Sequence, residues 1–301
     1  MKITLCAFAD EAASPLEEQI KALQENRISF IELRRVNGKS LQALTRDDAR
    51  DIRNRLEESG ISVWAAGSAV GKKRQSVRME RYAEEVSAVC ATANLLGTRN
   101  LRAFSLYPGI FNHDRALVLN KLAEILKITN AHGLTYCLEN EKGVYGSTIP
   151  RVGELLRHFP ELRFVYDPAN FIQCGQDPAK CIERFAGSAY YFHCKDATGK
   201  KVVPAGFGEG QLGRLVRSLT QDTVLTVEPH LQLFRGSPAF DKDELFWQYD
   251  LRTPRGRFDC AIAACRKLLT ENGYRDYGSY FLKEPPQATA HNRQEEVFFH
   301  G

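Results

Sequence analysis

Short apolar runs rich in β-branched and aromatic residues alternate along the chain with longer segments whose apolar positions recur at helical spacing. The runs ITLCAF, FIELR, ISVWAAG, TRNLRAF, LTYCLEN, LRFVYDP, AYYFHCK and TVLTVEP read as strands, because none carries the three-to-four-residue spacing of a helix. The segments between them read as helices with recognisable starts. Ser14-Pro15-Leu16-Glu17 has the form of a capping box with proline at the first helical position, and Thr45-Arg46-Asp47-Asp48 that of a second, with Asp for the usual Glu. Gly60, Gly97 and Gly133 stand where helices should end. Strand and helix alternating eight times imply parallel β/α units, and the chain length suits their closure into a single (β/α)8 TIM barrel over residues 1–273. A doubly wound open sheet is the alternative, but no GxGxxG follows the first strand.

Two stretches fall outside the repeat. The connection from Pro229 to Arg255 is long enough for a functional loop over the barrel mouth. The C-terminal extension, 274–301, shows no helix or strand pattern. Its aromatics Tyr274, Tyr277, Tyr280, Phe281, Phe298 and Phe299 predict packing or homo-oligomer contacts.

In a parallel barrel the site lies at the C-terminal ends of the strands, so the polar residues there carry the information. The fifth strand ends in Glu139, the sixth in Asp167, the seventh in His193 and the eighth in Glu228. Alternation of side chains sends Leu134, Tyr136 and Leu138 toward the helices and leaves Thr135, Cys137 and Glu139 facing the axis. The same parity turns Asp167 inward against Phe164 and Tyr166, and Glu228 inward against Leu225 and Val227. Three carboxylates and an imidazole converging on one point repel each other unless a cation joins them. Oxygen-rich ligation with one histidine favours Mn²⁺, with Mg²⁺, Co²⁺ or Zn²⁺ as alternatives.

Composition narrows the rest. At 43% hydrophobic and 26% charged residues, the chain is ordinary for a globular protein, and a net charge of +4 is too small to argue for nucleic acid or an anionic membrane. Ile3 to Ala9 is too short for a signal peptide and meets Asp10 and Glu11 at once. The eight cysteines form no CxxC pair and several lie in apolar runs, so reduced thiols and a cytoplasmic location are expected.

The motifs LENE at Leu138, DPAN at Asp167, HCKD at His193 and VEPH at Val227 resemble the metal-site segments of the xylose-isomerase-like TIM barrels, which include D-tagatose 3-epimerases and inosose dehydratases. FADE at Phe8, IELR at Ile31, GSAVGK at Gly67 and GFGEG at Gly206 are similar to further segments of its sugar phosphate isomerase/epimerase branch. The resemblance covers about residues 1–270. It departs at Asn170, where the tagatose epimerases have a substrate-binding histidine, and at Gly199, where they have an arginine.

The expected function is a sugar isomerase or epimerase acting on a keto-sugar or its phosphate. Glu139 and Glu228 would move a proton on opposite faces of an enediolate stabilised by one divalent ion, each offering one oxygen to the ion and aiming the other at substrate. A dehydratase or lyase on a keto-sugar or keto-cyclitol, using the same proton abstraction, is the main alternative. A DNA repair nuclease on this barrel needs further histidines, where Arg34, Gly67 and Arg102 stand instead; a non-catalytic sugar-binding module is a further alternative. Glu32, Arg34, Lys72, Arg102, Asn170, Lys195 and His230 are the expected substrate contacts, though Glu32, Arg34 and Arg102 could equally pair among themselves, and Lys195 with Asp196 or Glu209. Trp64 reads as core sooner than as a stacking face, the glycines of GFGEG as a turn sooner than a phosphate cradle, and His113 as a lone histidine.

Overall fold

A computed structural model describes residues 1–109, 114–231 and 244–283. Eight strands close a parallel barrel: β1 (Lys2–Ala7), β2 (Phe30–Leu33), β3 (Ser62–Gly67), β4 (Asn100–Ala103), β5 (Thr135–Glu139), β6 (Arg163–Tyr166), β7 (Ala189–Cys194) and β8 (Thr223–Val227). Each pairs with the next, and β8 returns to β1 over Ile3↔Thr223 to Ala7↔Val227. The connecting helices are α1 (Leu16–Glu25), α2 (Arg46–Glu58), α3 (Met79–Leu95), α4 (Asp114–Ala131), α5 (Ile149–His158), α6 (Pro168–Gln173), α7 (Pro178–Phe185), α8 (Leu212–Ser218) and α9 (Pro254–Glu271). No helix among the described residues is long and apolar enough to cross a membrane.

The eight strands are those the sequence pattern predicts, and their alternation sorts the core into two layers. Leu134, Tyr136, Leu138, Phe164, Tyr166, Leu225 and Val227 face the helices in the main core. Cys6, Ala65, Cys137, Val165, Tyr191 and Val224 fill the barrel interior, with Phe30 and Trp64 packed against them. Trp64, half-buried at the N-terminal end of the barrel, stacks on Tyr190 at 5.9 Å and packs against this interior core, away from the C-terminal mouth.

Local chemistry sets the helix starts. Thr45 Oγ1 accepts from Asp48 N–H while Asp48 Oδ2 accepts from Thr45 N–H, a reciprocal cap. The expected cap at Ser14 does not form. Pro15 takes the N-cap position of α1, and Asn37 Oδ1 accepts the Leu16 N–H from the loop after β2 instead.

The extension corrects the sequence reading in its first ten residues. β9 (Tyr274–Asp276) and β10 (Tyr280–Lys283) form a hairpin, and β10 pairs antiparallel with β1 through Lys2↔Leu282, Ile3↔Phe281 and Thr4↔Tyr280. It fits there because β2 pairs with β1 only at the top, Ala7↔Ile31, which leaves the lower edge of β1 open. Tyr274 and Phe281 are buried in the main core. Phe298, Phe299 and His113 lie outside the described residues, as does much of the loop from Pro229 to Arg255.

Candidate metal centre

Tyr191 caps the apolar interior, and above it the inward positions turn polar. Glu139, Asp167, His193 and Glu228 each bring one ligand atom to within 4.8 Å of all the others, and all four residues are buried. His193 Nδ1 is the centre of the group. Glu139 Oε1 and Glu228 Oε2 lie 3.3 Å from it and Asp167 Oδ2 lies 3.6 Å from it. His193 Nδ1 forms no hydrogen bond within the structure, and an orphaned buried polar atom of this kind calls for a partner. Three carboxylate oxygens and one ring nitrogen converging on one point suit a divalent ion, with Glu139 Oε1 also accepting from Asn170 and Glu228 Oε2 from Lys195.

Each ligand is oriented from behind. Glu32, fully buried, lies 3.3 Å from His193 Nε2 through Oε2, and its Oε1 accepts from Tyr191 OH at 3.1 Å and from Arg102 Nε at 3.2 Å. A carboxylate on the far ring nitrogen presents Nδ1 to the site. A register shift in the β2–β3 pairing at Ile31/Glu32 accompanies this placement. Arg102 also lies 3.4 Å from Glu139 Oε2 and donates to the Ser68 carbonyl. Phe8 packs edge-on against the imidazole at 5.3 Å.

Asp167 divides its two oxygens between fold and site. As the N-cap of α6, with Pro168 in the first turn, it accepts Asn170 N–H on Oδ1, leaving Oδ2 for the centre. Asn140 clamps the same peptide from β5, donating to Asp167 O and accepting from Asp167 N–H, both at 2.8 Å. Asn170 spends its amide hydrogens on Glu139 Oε1 and Asn140 O, and its Oδ1 is buried without a partner.

The remaining predicted contacts separate. Arg34, Lys72, Arg102, Asn170, Lys195 and His230 line, with Glu139 and Glu228, a cleft of about 420 Å³ above the centre. Glu32 does not reach it and lies beneath His193. Arg34 binds Asp10, Glu11 and Glu228 Oε1 rather than Glu32. His230, at a left-handed φ of 40°, stands 3.0 Å from Glu228 Oε1 and 3.1 Å from Glu11. Lys72 pairs with Glu141 at 2.8 Å across the Phe104 ring. Lys195 turns to Asp167 Oδ2 at 2.7 Å and Glu228 Oε2 at 2.9 Å, not to Asp196 or Glu209. The second oxygens of the two glutamates have cationic neighbours at the cleft: Glu139 Oε2 faces Arg102, and Glu228 Oε1 faces Arg34 and His230.

The glycine amides of GFGEG have an acceptor inside the chain. Gly206, Gly208 and Gly210 donate their N–H groups to the Asp196 carboxylate, and a Cβ at Gly208 would come within 2.4 Å of Asp196 Oδ1. The loop therefore ties down the segment after β7. A second hollow, of about 450 Å³, lies at the opposite end of the barrel beside Lys2, Trp64 and Tyr190, and none of the four converging residues lines it.

The electrostatics follow from burial and charge. Desolvation would raise Glu139, but His193 and Arg102 outweigh it and hold its carboxyl at about 2. Desolvation acts likewise on Glu228, yet Lys195 and His230 keep it well below the usual carboxylate range. Burial would lower Lys195; Asp167 and Glu228 hold it well above an ordinary lysine instead.

No curated protein matches the sequence. Among solved structures, the chain is similar to the probable 3-DHS dehydratase AsbF of Bacillus anthracis, at 17% identity and TM-score 0.68 over 88% of this chain and 99% of that one. It is similar to the IOLI protein solved with a bound zinc atom, at 16% identity and TM-score 0.69 over 89% and 99%. A D-psicose 3-epimerase solved in the presence of D-fructose matches at 12% identity and TM-score 0.62 over 88% and 97%. These likenesses share the barrel. The sequence model of the family described as xylose isomerase-like TIM barrel matches residues 20–246, and the chain belongs to that family.

Proposed function

We propose that the chain is a divalent-metal-dependent isomerase or epimerase acting on a keto-sugar or its phosphate by proton transfer. The observation that carries this reading is the set of three carboxylate oxygens around His193 Nδ1 at the floor of a polar cleft. Glu139, Asp167, His193 and Glu228 would hold the ion, which supplies Lewis-acid stabilisation of charge beside the carbon that loses its proton. Glu139 and Glu228 both stay ionised at neutral pH, so either can accept that proton and return it as the conjugate acid. Arg102 and Asn170 fix Glu139 from the two sides, and Arg34 and His230 fix Glu228. Asn170 Oδ1 offers an acceptor for a substrate hydroxyl where a histidine would offer a ring nitrogen.

Lys195 supports a second reading, a dehydratase or lyase. Its ammonium lines the cleft and would protonate a departing hydroxyl there. The test is to incubate Mn²⁺-loaded protein in D₂O with a panel of keto-sugars, their phosphates and keto-cyclitols. Proton transfer predicts deuterium on the carbon beside the carbonyl. Isomerisation keeps the substrate formula apart from that label, and dehydration removes one water. An active protein giving unlabelled isomer would point to hydride transfer and overturn the proposal.

A further inference from the structure

Lys195 is 6% exposed, and its Nζ lies 2.7 Å from Asp167 Oδ2 and 2.9 Å from Glu228 Oε2. Those two oxygens are the same ones that face His193 Nδ1 at 3.6 and 3.3 Å. An ammonium therefore holds two of the four atoms that a divalent ion would need. Two such cations on shared oxygens repel strongly in a buried site. The ammonium also has somewhere to go, since Lys195 lines the cleft of about 420 Å³.

We propose that Lys195 is the resident cation of the metal-free centre, and that metal loading displaces its ammonium from Asp167 and Glu228 into the cleft. This rests on the metal reading given above. In the metal-free state Lys195 is a positioning residue: it keeps two buried carboxylates together that would otherwise repel. In the loaded state it becomes a cleft cation facing substrate oxygens. Substrate then meets the freed ammonium only after the metal has bound.

The test compares wild-type protein with and without saturating Mn²⁺, acetylated with limiting acetic anhydride and read by peptide mass spectrometry. Acetylation of Lys195 is expected to rise at least tenfold with Mn²⁺, while Lys39, paired with Asp48 on the surface, stays constant as reference. Unchanged or reduced acetylation of Lys195, with Mn²⁺ uptake demonstrated by calorimetry, overturns the proposal alone. No uptake overturns the metal reading as well. Lys195→Met gives a second measurement. Its thermal midpoint should fall without metal and match wild type with saturating Mn²⁺, and folding only in the presence of Mn²⁺ is the extreme form of the same result. An equal loss in both states would mean that Lys195 is a fixed structural ion pair.

Discussion

Burial would lower His193, but Glu139 and Glu32 outweigh it and hold the imidazole well above its ordinary value. Without metal the ring therefore keeps its proton to higher pH than a free imidazole, and an incoming divalent ion must displace that proton. The sign follows: Mn²⁺ affinity should climb as pH rises toward the His193 value, and calorimetry in two buffers of different ionisation enthalpy should register proton release. Equal heats in both buffers would contradict this. Glu32→Gln weakens the support for Nδ1 and should lower Mn²⁺ affinity about 10- to 100-fold. Parity along each strand was enough to turn Glu139, Asp167 and Glu228 inward. It could not say how deep Glu32 sits, because depth in a barrel depends on the stagger between strands, and here also on the register shift beside Glu32. Glu32, Arg34 and Arg102 thus read alike in sequence yet occupy different levels. Asn140 and Tyr191 carry no signal in the sequence for the same reason: the groups they bind come from other strands.

At the scale of elements, alternating apolar and amphipathic segments made the eight β/α units legible, and the Thr45 cap with them. Thr45→Ala should cost about 1 kcal/mol in urea denaturation. The α1 cap was misread because Ser14 fits the local pattern, whereas Asn37, which reaches Leu16 N–H, comes from a loop that no local pattern connects to it. The hairpin of β9 and β10 was illegible on similar grounds, since its partner is an edge of β1 left open by the barrel's own pairing. Phe281 is nonetheless fully buried, so Phe281→Ala should cost about 3–5 kcal/mol, like any core phenylalanine. A cost below about 1 kcal/mol would show the hairpin to be detachable. Gly208→Ala drives a Cβ into Asp196 and should lose about 1–3 kcal/mol while freeing the loop after β7.

For the whole molecule, the barrel gathers onto one axis side chains that lie up to 89 positions apart, from Glu139 to Glu228. Among the described residues, an apolar interior lies below the charged group and a polar cleft opens above it toward the C-terminal mouth. Four ligand atoms gathered in this way are suited to hold one cation. The most direct measurement is an anomalous difference map from a crystal soaked in Mn²⁺. One peak bounded by Glu139, Asp167, His193 Nδ1 and Glu228 is expected, with ligand distances of about 2.0–2.3 Å. A map with no peak among these four residues, with Lys195 still seated on Asp167 and Glu228, would contradict that expectation.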